Sequence, residues 1–118
     1  MSKPEIFSEP IPYATTRRLA EEEFEDMVKF VVDLNRKVIA AGGGLHSDEE
    51  QLLIEDGSKS EDLWGANYYW KDSSEKRFEY TSMINLPPKQ TNKSQEIQSE
   101  DIREQVKALA IYFFESKR

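Results

Sequence analysis

The segment VKFVVDLNRKVIAAGGG, residues 28–44, constrains this chain most. Val28 to Val32 is β-branched and aromatic, DLNRK is a polar turn with Asn35 near its tip, and Val38 to Ala41 resumes the apolar run. Two such runs around a short polar turn predict a β-hairpin, and a hairpin alone is not stable in water. The rest of the chain must supply more strands and a cover for them.

LWGANYYW (63–70) and RFEYTSMINL (77–86), joined by the polar KDSSEK, predict a second hairpin. Alternation puts Trp64, Ala66, Tyr68 and Trp70 on one face, with Gly65, Asn67 and Tyr69 on the other. In the next strand Phe78, Tyr80, Ser82, Ile84 and Leu86 share a face. Helices are expected at about 15–27 (inner face Ala20, Phe24, Met27), 47–56 and 100–115 (stripe Ile102, Val106, Leu109, Ala110, Phe113), the last capped by Ser99. Pro4, Pro10 and Pro12 make residues 1–14 an extended N-terminal arm. Residues 87–98 read as a long polar loop. The expectation is a single α+β domain over 15–118, with a four-stranded, mostly antiparallel sheet built from two hairpins. The helices pack on one face, in the order α-ββ-α-ββ-α.

The chain has 118 residues, no cysteine, a net charge of −7 and a single histidine. Thiolate metal sites, cysteine nucleophiles and disulfides are excluded. The acids concentrate in residues 1–62. Nucleic acid is a poor partner for this charge, even with Lys89, Lys93, Arg103 and Lys107 available. The N-terminal residues lack the apolar core of a secretory signal, and no run approaches a membrane span, so a cytoplasmic protein with no membrane contact is expected.

GGGLHSDEEQLLIEDGS (42–58) is the stretch that suggests chemistry. A glycine-rich turn before a helix can cradle phosphate, but Asp48, Glu49 and Glu50 would repel one, and the P-loop lysine is missing. SDEE reads as a capping box with Ser47 as N-cap and Glu50 at N3, and Gly57 as the left-handed C′ residue. That leaves His46, Gly43 and Gly44 without a local reason. His46, Asp48 and Asp62 are candidate ligands for a divalent metal, with Glu49 or Glu50 as general base. A Ser58–His46 nucleophile pair would span the helix, about 15 Å at ~1.5 Å per residue, and is disfavoured. Trp64, Asn67, Asn85, Asn92 and Ser94, with Gly43 and Gly44, are candidates to line a pocket for a small-molecule or protein ligand. Ile111 and Phe114 fall outside the apolar stripe of the last helix, so that helix is expected to be covered on more than one side, either by the N-terminal arm or by a second subunit in a homodimer.

GGGLHSDEEQLLIEDGSKSEDLWGANYYW resembles a family of small uncharacterised bacterial proteins, a domain of unknown function. Its marks are a Gly-Gly-x-Leu-His-x-Asp segment, here around Gly43–Asp48, an acidic helix ending in Gly-Ser (Leu52 to Ser58), and Asp-Leu-Trp-Gly (Asp62 to Gly65). SMINLPPKQTNKSQEI is similar to the family's segment after its last strand, which often carries an arginine before the proline and another after the asparagine. Pro87 and Lys93 stand there instead. The resemblance spans about 15–115 and implies no activity or catalytic residues. The resulting expectation is a small binding or self-associating interaction module without catalysis. The alternative is a metal-assisted hydrolase working at the turn around His46.

Overall fold

The computed structural model describes residues 2–88 and 92–118. Its elements are β1 (Glu5–Phe7), α1 (Tyr13–Glu21), β2 (Met27–Asp33), β3 (Val38–Ala41), α2 (His46–Glu55), β4 (Leu63–Tyr69), β5 (Phe78–Glu79) and α3 (Glu100–Glu115). The sheet has five strands, not four, in the order β1-β3-β2-β4-β5, with every pairing antiparallel. The additional strand comes from the N-terminal arm: Ile6 pairs with Ala40. The order is therefore β-α-ββ-α-ββ-α.

The predicted first hairpin forms as β2 and β3. Asp33 Oδ1 accepts the backbone N–H groups of Asn35 (2.8 Å) and Arg36 (2.9 Å) and so shapes the turn. α3 has the bounds read from the sequence, and Ser99 Oγ accepts from the Ile102 N–H at 3.2 Å. α1 ends at Glu21, well short of residue 27, because Met27 already pairs with Tyr69 in the sheet.

The helices do not share one face. Val28, Phe30 and Val32 of β2 pack with Leu19 and Ala20 of α1 and with Val106, Ala110, Phe113 and Phe114 of α3. Val31, pointing the other way, packs with Val38, Ala40, Leu63 and Leu53 of α2. The reason lies in β2 and β3. Apolar runs without strict alternation belong to strands buried on both sides, and both sides then need cover.

The second hairpin is shorter than read. β5 stops at Glu79, and residues 80–82 pair instead with 95–97: Ile97 N–H donates to Tyr80 O (2.9 Å) and Ser82 N–H to Gln95 O (3.0 Å). Beyond that point Asn85 replaces a strand. Its Oδ1 accepts the Gly65 N–H at 2.9 Å and its Nδ2 donates to Gly65 O at 3.0 Å. Gly65 admits this approach because a Cβ there would lie 2.7 Å from Ser82 Cβ.

Gly57 ends α2 as the sequence predicts. Its φ is +110°, and the next residue, Ser58, donates its N–H to Leu53 O at 2.9 Å. Since a Cβ at Gly57 meets nothing within 4 Å, Gly57→Ala isolates the backbone strain. It is expected to cost about 1–2 kcal/mol in urea denaturation, with no change in m-value.

Candidate functional site

The three glycines between β3 and α2 each meet a different part of the same chain. Gly42 has φ +94°, and a Cβ on it would lie 2.5 Å from Leu19 Cδ2. Gly43 is held between Pro4 and Glu49, each 3.3 Å from where its Cβ would be. Gly44 faces the Glu23 carboxylate, whose Oε1 would lie 2.5 Å from an added Cβ. Glycine is needed here for close approach, and what approaches is the N-terminal arm and its latch. Ser2 donates its backbone N–H to Glu23 Oε2 (3.2 Å) and its hydroxyl to Gly42 O (2.6 Å).

α2 begins two residues earlier than the capping box implies. Leu45 is the N-cap, without a side-chain cap bond, so Ser47 is not the cap. His46 thereby enters the first turn, and its ring is turned inward against β4. Its Nε2 lies 2.8 Å from Ala66 O, which makes the neutral ring the donor. Burial depresses its pKa to about 4, and the nearby Lys29 ammonium works in the same direction, while the Ala66 carbonyl and Asn67 oppose the shift.

Glu49, one turn on from His46, is fully buried. Its Oε2 accepts the Gly43 N–H at 2.9 Å, but its Oε1 has no hydrogen-bond partner among the described residues. Burial holds this carboxyl well above the ordinary range, and the Gly43 N–H and Lys29 only partly counter it. Next to His46 sits Asn67, whose Nδ2 donates to Glu79 Oε1 (2.8 Å) while its buried Oδ1 finds no partner in hydrogen-bonding geometry. Lys29, cross-strand from Asn67, holds its Nζ 5.4 Å from the Phe24 ring centroid.

The metal trio is not assembled. His46 points inward at Ala66, Asp48 is exposed on the outer side of α2, and Asp62 lies half-buried at the start of β4. Asp62 lies four residue steps from Ala66 along the chain, about 13 Å at ~3.3 Å per residue. Among the described residues, no group of three or more His, Asp or Glu side chains stands close enough to hold a metal. Ser58 instead accepts from Arg36 at 2.7 Å.

The polar pocket candidates do not line a common cavity either. Trp64 lies in the α1/α3 core, on the face away from His46. Asn85 serves Gly65 and also donates to Gln95 O (3.0 Å). Buried Asn92 donates to Asn85 O (2.8 Å) and Glu96 O (3.1 Å), and accepts the Gln98 N–H at 2.8 Å. Ser94 supplies its carbonyl to Asn92 and its hydroxyl to the Glu96 N–H. These side chains staple a loop whose backbone would otherwise be unsatisfied.

The dimer-surface reading fails for Phe114. It is 1% exposed, stacked on Tyr68 at 4.6 Å and edge-on to Phe30 at 5.4 Å. Ile111 is half-buried against the same core. α3 is apolar on more than one side because β2, β4 and the segment around Ile11 and Ile97 all meet it. Of the cations weighed for nucleic acid, Lys107 pairs with Glu75 (2.7 Å), Arg103 lies 3.9 Å from Glu96, Lys93 is exposed, and Lys89 lies outside the described residues.

Three features have no local mark in the sequence: the latch of Ser2 on Glu23, Pro4 over Gly43, and the half-buried Lys29 set over Phe24. The inward turn of Glu49 was readable, since His46, Glu49 and Leu53 recur at i, i+3, i+7.

The geometry defines a two-sided antiparallel α+β protein with a closed polar layer beneath α2. The chain belongs to a family described as "Protein of unknown function (DUF5674)", whose model matches residues 5–113. Compared with curated proteins and with solved structures, the chain has no match. No helix among the described residues is long and apolar enough to cross a membrane.

Proposed function

We propose that this protein is a small cytoplasmic interaction module without catalysis of its own. It docks a basic, aliphatic-bearing segment of a partner protein between α2 and residues 83–88. The observation that carries this reading is a groove with Met83, Ile84, Leu86, Pro87 and Pro88 on one wall and Ser47 and Glu50 on the other. Met83 is 71% exposed at its rim, a large apolar side chain in open water, with Leu45 and Ile54 exposed on the adjoining helix. Glu50 is the acid in the groove wall, with Asp48 and Glu55 on the other flank of α2 beside the arm, and with the net charge of −7 this favours a basic partner. The same acidity, with a net charge of −7, opposes a second copy of the chain in this groove.

The test is a random-peptide display selection on the folded protein. Enrichment of peptides with Lys or Arg flanking one or two aliphatic residues is expected. Met83→Asp should weaken their binding by at least about tenfold, ~1.4 kcal/mol, while leaving thermal stability unchanged. Peptides bound equally well by Met83→Asp would sink the proposal, as would no enrichment. So would a dimer in sedimentation that Met83→Asp dissolves, because the occupant would then be a second copy.

A further inference from the structure

We propose that the free edge of β1 is a strand-addition site. It takes a short extended segment of a partner protein, antiparallel to β1, that reads aliphatic, polar, basic. The hydrogen-bond phase of the sheet supplies the first argument. The Gly42 N–H donates to Lys29 O at 3.2 Å, so the opposed pair Lys29–Gly42 is a hydrogen-bonded one. Alternation makes Val31–Ala40 hydrogen-bonded as well, which spends the Ala40 N–H and C=O on β2. Ile6, opposite Ala40, therefore turns its own N–H and C=O away from β3, toward the free edge. The Pro4 carbonyl points out in the same phase. At the other edge β5 is only two residues long, and the chain beyond it is paired with residues 95–97.

A groove runs along each face of the β1 edge. On the α2 face Pro4 and Leu52 line it with Asp48, Glu55 and Lys3. On the α1 face it is lined by Glu5, Arg18 and Glu22. An added strand would send alternate side chains into the two grooves. The partner residue opposite Ile6 exchanges both hydrogen bonds with it and lies beside an isoleucine, so it is aliphatic. The residue opposite Pro4 donates its N–H to the Pro4 carbonyl and enters the α2-side groove. There Pro4 and Leu52 take an alkyl stem, and Asp48 and Glu55 outnumber Lys3, so this residue is a lysine or arginine. The residue between them faces Glu5 and Arg18, which already pair at 3.0 Å, and is polar and uncharged. The bonds of Ser2 to Glu23 and to Gly42 O hold the arm in place, so the edge is preformed. The short strand and the missing N–H of Pro4 keep the contact weak and stop the sheet from growing further. A second copy at this edge would set Asp48 and Glu55 against themselves across a twofold axis.

Two blocked peptides test this: acetyl-Ser-Val-Thr-Lys-Ser-amide, and the same peptide with Glu in place of Lys. Each is titrated into the 15N-labelled full chain and followed by NMR. The lysine peptide should shift the Ile6 amide with saturation below about 1 mM. The glutamate peptide should bind at least about tenfold more weakly. N-methylation of the valine should abolish binding. In the double variant Asp48→Asn/Glu55→Gln, altered only at exposed positions, the two peptides should bind within about twofold of each other. Equal binding of both peptides to the wild type would overturn the proposal, as would no saturable shift at Ile6. Shifts centred on Met83 and Leu86 would put the peptide in the groove beside residues 83–88 and overturn this site alone. A dimer that protects the Ile6 amide without peptide would make the occupant a second copy and overturn it too.

Discussion

Phe114→Ala is expected to lose about 3–5 kcal/mol of stability, and Phe114→Asp to yield no folded protein at all. The residue is 1% exposed, and its ring contacts Tyr68 and Phe30 where α3 crosses the centre of the sheet. Alanine removes the ring's burial and leaves a cavity among side chains held by both β2 and β4. Aspartate adds an unpaired charge in the same place, and the combined cost approaches the ~5–15 kcal/mol that stabilises a whole domain. Urea denaturation measures the first variant, and circular dichroism with sedimentation the second. A folded, monomeric Phe114→Asp protein from a dimeric wild type would restore the dimer-surface reading of α3.

Acid should destabilise the protein through His46. Its pKa is about 4 when folded, against ~6.5 when unfolded, so the unfolded chain takes up the proton first. The contribution of neutral His46 is complete above pH ~6.5 and is lost as pH falls through the interval down to about 4. At ~1.36 kcal/mol per unit, the loss reaches about 3 kcal/mol. Glu49 works in the opposite sense: its raised pKa gives stability that is whole below its unfolded pKa and declines as pH rises through the folded one. The two groups narrow the stable range from both sides. His46→Gln, which keeps a donor for Ala66 O, should flatten the slope between pH 6.5 and 4. Equal slopes for the variant and the wild type would refute the assignment.

The parts of the fold that local chemistry controls were legible. DLNRK sits between two β-branched runs, Ser99 precedes an apolar stripe, and Gly57 follows the acidic helix; each gave the right element. The parts set by contacts far along the chain were not. Nothing local in EIF announces an edge strand, because its register comes from Ala40 and Ala41. RFEYTSMINL alternates well enough for a full strand. It breaks because Asn85 can bond Gly65 and because residues 95–97 compete for 80–82. The two-sided sheet was implicit in the unbroken apolar runs of β2 and β3, where Val31 and Ala40 need cover as much as Phe30 does.

The candidate site follows the same division. The capping reading places the right helix two residues late, and the shift brings His46 into its first turn, where burial decides its chemistry. The triple glycine had no local explanation because its neighbours, Leu19, Pro4, Glu23 and Glu49, come from three other segments. The asparagines looked like pocket residues because exposed amides and loop staples are written with the same letters.

The turn at 42–50 is closed and internally bonded beneath α2, with Glu49 on the Gly43 N–H and His46 turned inward on Ala66 O. His46 is the only histidine, so its ring resonances are unambiguous. NMR of those resonances, followed through pH and then with stoichiometric Zn²⁺ at neutral pH, tests the claim directly. The account predicts titration near pH 4, a neutral ring protonated on the nitrogen facing Ala66, and no metal-dependent shift. Titration near pH ~6.5, or a stoichiometric Zn²⁺ shift that Asp48→Asn or Asp62→Asn abolishes, would contradict it.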